Sequence, residues 1–211
     1  MYMSRLEVDI THPSARQALN NCGDMHRNLM SAFPQMASQD AARRSIGLLY
    51  RRIERKHCIE LLTLSAVAPD REALRRHGLE MDCHSPKDVS GLESVFQSGR
   101  LLRFELLAAP SKKVAAEGKN SRRVGLGSPE ERLDWLERQG KKYGFALCEA
   151  QEDAQTVWIR GKKKDMLISY AARNFKGILR IEDGAAFWRA YGQGIGPGKA
   201  YGMGMLMVAI P

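Results

Sequence analysis

The chain has 211 residues, 44% of them apolar; 33 Lys and Arg against 24 Asp and Glu give a formal charge of +9 and a pI of about 9.6. That length suits one large domain or two of ordinary size. No run of about 18 apolar residues occurs, which excludes a transmembrane helix, and the opening Met-Tyr-Met-Ser-Arg-Leu-Glu lacks the charged and apolar regions of a signal peptide. The expectation is a soluble, cytoplasmic protein with no membrane partner, monomeric when free. An excess of positive charge this large favours a polyanionic partner, nucleic acid above all, over an ordinary basic enzyme.

Residues 2–10 alternate charged and apolar from Leu6 onward, the pattern of a half-buried strand. Thr11 and Pro13 predict a short helix from Ser14 to about Asn21. Gly23-Asp24 breaks it, and Asp24 is placed to cap a second helix running to Phe33, with Met25, Leu29 and Phe33 along one face. His26 then falls in the first helical turn, off the apolar stripe and partly accessible, near a helix end that attracts phosphate. Residues 36–47 read as loop or helical insertion. Leu48–Glu54 and Cys58–Ser65 read as a hairpin turning at Arg55-Lys56-His57. A basic helix follows from Asp70 to about Leu79, 80–99 carry no clear pattern, and Leu101–Ala108 is a strand stopped by Pro110.

The first half thus has the order β-α-β-β-α-β, a ferredoxin-like domain over residues 1–110. Residues 111–127, rich in Lys, Gly and Ser, read as a mobile basic linker into a second domain over 111–211. Ser128-Pro129-Glu130-Glu131 is a strong helix start, and Gly140 is its predicted end. Strands are predicted at 144–150, 156–160, 166–170 and 175–181, then a helix capped by Asp183, a glycine-rich loop and a last strand. The fold class is α+β, two tandem ferredoxin-like domains. The cysteines Cys22, Cys58, Cys83 and Cys148 form no Cys-x-x-Cys pair, and His57-Cys58 with Cys83-His84 matches no zinc spacing, so reduced thiols without metal or cofactor are expected.

The glycine-rich loop runs from Gly192 to Gly204. It fails as an NTPase phosphate loop, because Gln193 stands where the first glycine belongs and Ala200 follows Lys199. It fails as a dinucleotide fingerprint because it closes a helix and leads into a strand, the reverse of the required order. A ligand-free turn or a bare, basic backbone loop remains.

Several runs stand out together: Met1-Tyr2-Met3-Ser4-Arg5, Met25-His26-Arg27-Asn28-Leu29 with Phe33-Pro34, and Leu102-Arg103-Phe104-Glu105-Leu106 with Ala109-Pro110 and Lys112. Trp135-Leu136, Phe175-x-Gly177-x-Leu179 and above all Gly194-Ile195-Gly196-Pro197-Gly198-Lys199 with Gly202 and Gly204 complete the set. Together they resemble the CRISPR precursor-RNA endoribonucleases of the CasE type, from the subtype I-E effector complex. The resemblance implies metal-independent cleavage of CRISPR repeat RNA at the base of its stem-loop. It further implies retention of the mature guide RNA beside the other effector subunits. By this likeness His26 occupies the catalytic histidine position, while Gly23 stands where the family has a tyrosine; either Tyr2, Tyr201 or Lys199 stands in for that tyrosine, or His26 acts with less help. Ala109 replaces the family asparagine before Pro110. The chemistry itself needs only the RNA 2′-OH held in line and a histidine near neutral pKa.

By position, Arg27, Lys199 and Tyr201 are candidates for phosphate and transition-state contacts. Gly194, Gly196, Gly198 and Gly202 are candidates for RNA-facing backbone, set against His26 from the other domain. Lys112, Lys113, Arg160, Lys162, Lys163 and Lys164 are candidates for phosphate contacts along the RNA, since A-form stems hide their base edges. A second reading, prompted by Gly23, is a non-catalytic subunit that only caps the guide-RNA hairpin. A third is an RRM-like protein of unrelated role.

Overall fold

The computed structural model describes residues 1–34, 45–80, 83–115, 122–163 and 166–211, with 83–85 and 163 described by backbone alone. Most of the insertion expected at 36–47, the middle of the expected linker, and Lys164 lie outside the described residues.

Strand β1 (Tyr2–Val8) buries Leu6 and Val8 and pairs antiparallel with β3 (Ile59–Ser65), itself the partner of β2 (Leu49–Glu54) in the expected hairpin. Helix α1 (Pro13–Asn20) has proline in its first turn but starts from His12; Thr11 instead donates to Asp9 Oδ1 at 2.6 Å. Helix α2 (Cys22–Met30) starts at Asn21, whose side chain accepts from the Gly23 N–H at 3.0 Å. Asp24 is therefore inside the helix and not its cap. It is buried, accepting from Gln17 and Asn21 at 2.9 Å each, and ties α1 to α2. Met25 and Leu29 face the core as expected, and Phe33 is buried just beyond the helix end. The basic helix α3 (Arg71–Arg75) is shorter than predicted, capped by Asp70.

The fourth strand of this sheet is β4 (Cys83–Asp88), from the stretch without clear pattern, giving the order β2-β3-β1-β4. It contains Pro86, sits at the sheet edge, and pairs with β1 through an irregular register, so it shows no alternation. Strand β5 (Leu101–Ala108), expected to close this sheet, belongs to the second one. There Phe104 lies opposite Gly177 and Val208, in the order β11-β5-β10-β8. Its alternation announced a strand but not a partner. By sheet membership the chain crosses between units from Asp88 to Leu101, ahead of the division expected at 110.

The expected linker is instead a basic hairpin, β6 (Ser111–Val114) with β7 (Arg122–Gly125). Helix α4 (Pro129–Tyr143) carries the full Ser128–Glu131 capping box. It passes through Gly140 and stops at Gly144, in the left-handed region at φ 75°. Gly140 serves packing: a Cβ there would lie 2.5 Å from the Phe145 carbonyl oxygen. Strand β8 (Phe145–Glu152) and strand β9 (Val157–Lys163) follow. The two strands predicted next are one 16-residue strand, β10 (Met166–Ile181), whose first half pairs with β9 and whose second half pairs with β5 and β8. The hairpin β9–β10 thereby projects off the second sheet. Helix α5 (Gly184–Gln193), capped by Asp183, leads through the glycine-rich loop to β11 (Leu206–Ala209).

Each sheet shows the ferredoxin-like strand order, so the fold is two such units in tandem. The first has a core of Leu6, Met25, Leu29, Leu61 and Leu74; the second is built on Phe104, Leu106, Trp135, Phe175 and Phe187. Leu49 and Leu64 of the first unit pack into the second core. Arg51 also crosses between sheets, donating to Glu105 at 2.8 Å and Asn174 at 2.9 Å. The units are joined by both apolar and ionic contacts.

Candidate functional site

With Met25 and Leu29 anchored in the core, α2 turns His26 half-exposed toward the second unit and leaves Arg27 exposed. His26 lies in the second helical turn, not the first, because α2 begins at Cys22. The helix end expected to attract phosphate is closed by the Asn21 side chain and by the backbone of β9.

The glycine-rich loop reaches α2 from the other side. It folds back on itself, with the Ile195 N–H donating to Gly204 O and the Gly204 N–H to Leu107 O, both at 2.8 Å. Ile195 and Met203 are fully buried and anchor it. Between them Lys199–Tyr201 form one 3₁₀ turn, flanked by Gly198 and Gly202 in the left-handed region at φ 77° and 81°. The turn presents Tyr201 edge-on to His26, with ring centroids 6.3 Å apart, and Tyr170 of β10 lies 6.2 Å beyond Tyr201.

His26, Arg27, Lys162, Lys199 and Tyr201 line one cleft of about 1490 Å³ between the units, together with Gly196 and Gly198. A nucleotide segment, not just one phosphate, fits a space of this size. Burial, with a smaller push from Lys142, lowers the Lys199 pKa below the ordinary lysine value. Arg27 is held by Asp24 at 2.8 Å while its side chain stays 69% exposed. Burial pushes the Cys22 thiol up to about 11 and the Tyr50 phenol higher still, so both groups beneath the site are neutral.

Gly194 and Gly202 are buried under the loop. A Cβ at Gly194 would meet Leu49 at 2.8 Å, and one at Gly202 would meet the Tyr50 ring at 2.9 Å, so these two glycines serve the packing of loop on β2. Tyr2 lies on β1, paired with Ser65, and is not among the cleft-lining residues. Lys112 and Lys113 are exposed on β6, away from the cleft, with Lys112 3.3 Å from Glu131. Arg160 is exposed on β9 with its guanidinium 5.0 Å over the Trp158 ring, a cation–π pair on the hairpin surface. The backbone of Lys163 ends β9.

Sequence reasoning missed Tyr170, Trp158 and Asn21. A period-two reading of Trp158-x-Arg160-x-Lys162 would have put those three on one strand face. Asparagine just before an apolar-periodic run is itself a helix-cap signal. Tyr170 had no local signal, since only the length of β10 brings it here.

A family model described as CRISPR associated protein matches residues 1–209. The chain is 29% identical to the CRISPR-associated endoribonuclease Cse3 of Thermus thermophilus over 226 residues, covering 99% of this chain and 100% of that protein. A solved structure of Cse3 bound to a 19 nt RNA superimposes with a TM-score of 0.82 at 30% identity, covering 99% of this chain and 100% of the other. Cas6e of Escherichia coli K-12 shares the fold, with a TM-score of 0.70 and 20% identity over the full length of both. With tandem ferredoxin-like units, a histidine helix facing a glycine-rich loop, and a match running from residue 1 to 209, the chain belongs to the family of CRISPR-associated proteins.

Proposed function

We propose that the chain is an endoribonuclease that cuts CRISPR repeat RNA at the base of its stem-loop, without a metal ion, and keeps the mature guide RNA within an effector complex. The observation that carries the reading is the meeting of His26 with Lys199 and Tyr201 in one cleft, drawn from two units. Solved relatives named as Cse3 endoribonucleases hold a 19 nt RNA and an RNA representing a pre-cleavage complex, which supports RNA as substrate.

The reaction balances without a cofactor. The RNA 2′-oxygen attacks the adjacent phosphorus and loses its proton, the bond to the 5′-oxygen breaks, and that oxygen takes up a proton; a 2′,3′-cyclic phosphate remains. His26 exchanges a proton with one of these two oxygens, a role worth roughly 10²–10⁴-fold in rate. Lys199 and Arg27 supply positive charge to the phosphorane, with half-buried Lys199 in the lower-dielectric position where charge counts more. Tyr201 takes the place of the family tyrosine absent at Gly23, since its ring already lies against His26. Arg160, Lys162 and the β6–β7 hairpin bind stem phosphates.

The test is cleavage of the cognate repeat RNA in EDTA by the wild-type protein and by His26→Ala. The expected result is cutting by the first and a loss of about 10²-fold or more in the second. No cutting in EDTA, or undiminished cutting by the variant, overturns the reading. Gly23 favours the alternative of a non-catalytic cap, which predicts tight binding unaffected by a 2′-deoxy nucleotide at the scissile position and no cleavage at all.

A further inference from the structure

The helix of His26 and the β9–β10 hairpin meet at a seam bridged by the Asn21 side chain. Asn21 Oδ1 accepts from two backbone N–H groups, Gly23 of its own helix and Lys162 of β9, each at 3.0 Å. Its amide nitrogen donates to Asp24 at 2.9 Å, and Asp24 in turn holds Arg27 at 2.8 Å. Two glycines make the approach possible. A Cβ at Gly23 would lie 2.3 Å from the Lys162 carbonyl oxygen, and one at Gly161 would lie 2.4 Å from Asn21 Oδ1. Neither glycine has a positive φ, so both are small for the sake of contact between the units.

We propose that Asn21 is a positioning residue that locks α2 to the β9–β10 hairpin, so that RNA held on the hairpin sets the placement of His26. This rests on the endoribonuclease reading for its effect on rate, but the coupling itself is a property of the seam. It also accounts for Gly23. A tyrosine there would drive β9 off α2, so this chain keeps close backbone contact at 23 and carries its phenol at Tyr201. A shift of about 1 Å in a reacting group is enough to lower a rate roughly 10²-fold.

Asn21→Ser keeps the cap and removes the reach of the side chain. Serine still accepts from the helix N–H, yet is too short to bond the Lys162 N–H and Asp24 as well. The expected variant melts near wild type and binds a repeat stem-loop within about twofold of wild type, but cleaves at saturating protein about 10- to 100-fold more slowly. Asn21→Asp alone would set two carboxylates against each other where the amide now donates to Asp24. The rescue is therefore the exchange Asn21→Asp with Asp24→Asn, which keeps the acceptor oxygen, reverses that hydrogen bond and restores most of the rate, as a general loss of packing would not allow. Gly23→Tyr, despite restoring the family residue, loses cleavage. The arm independent of chemistry is amide hydrogen exchange with a stem-loop carrying a 2′-deoxy scissile nucleotide. RNA binding protects residues 22–30 in the wild type and fails to do so in Asn21→Ser. Persistent protection in that variant, wild-type cleavage by it, or a gain of activity in Gly23→Tyr overturns the proposal. If the wild type cuts no RNA at all, the exchange result still decides the coupling while the endoribonuclease reading falls separately.

Discussion

Lys199 stands half-buried in the cleft, where its charge opposes folding and, on the proposed reading, meets the RNA phosphate. Burial, with Lys142 nearby, holds its pKa below the unfolded value of 10.5. Between the lowered folded value and 10.5 the unfolded chain binds more protons, so the contribution of Lys199 to stability rises with pH across that window and is unfavourable at neutral pH. Lys199→Met is therefore expected to raise the melting temperature by about 1–3 °C at pH 7 while weakening binding of repeat RNA. Scanning fluorimetry beside a binding titration checks both, and unchanged RNA affinity would place Lys199 outside the phosphate contacts. Lys142→Gln removes the like charge, which moves the alkaline limb of the cleavage profile upward. An unshifted limb would mean that Lys199 does not set it.

At the scale of elements, the glycine-rich loop has two surfaces with different tasks. Gly196 and Gly198 line the cleft, while Gly202 sits against Tyr50 with φ 81°. Gly202→Ala combines left-handed strain with a clash against a buried ring, about 3 kcal/mol together, and should lower the melting temperature by about 6–12 °C. Gly99 offers the control. Its φ is 84° and nothing lies within 4 Å of where a Cβ would stand, so Gly99→Ala bears strain alone and should cost about 1 kcal/mol, or about 2–4 °C. Equal melting shifts for the two variants would remove the argument that Gly202 holds the loop on β2. The run of glycines was legible as a special backbone segment. Which of them face a ligand was not, because that depends on Leu49 and Tyr50, about 150 residues away in the chain.

For the whole molecule, the charge of +9 becomes informative once its position is known. Lys162 and Arg160 share a β9 face with Trp158, and that hairpin is bonded to the helix of His26, so on the proposed reading the surface that attracts RNA and the residue that cuts it are held together. Binding should weaken with salt, and Arg160→Gln should lower the slope of log affinity against log salt by about 1, the loss of one phosphate contact. A filter-binding series over salt concentration measures it, and an unchanged slope would take Arg160 off the RNA path. Arg51, crossing from β2 to Glu105 and Asn174, adds a second polar tie between the units.

Strand alternation at Leu6–Val8 and Leu101–Ala108, the Ser128–Glu131 capping box and the Gly194–Lys199 run were all readable along the chain, because each rests on neighbours within a few residues. These local signals determined two α+β units, and through the family resemblance they carry they pointed, with the basic excess, to RNA as partner and to His26 as the residue to test. Tertiary structure alone decided that β5 belongs to the second sheet and that β4 closes the first, since an alternating pattern specifies a buried face but no partner strand. It likewise decided that Tyr201 lies against His26 and that Gly23 and Gly161 admit the Asn21 seam. Those facts depend on contacts between residues more than a hundred positions apart, where local propensity carries no information.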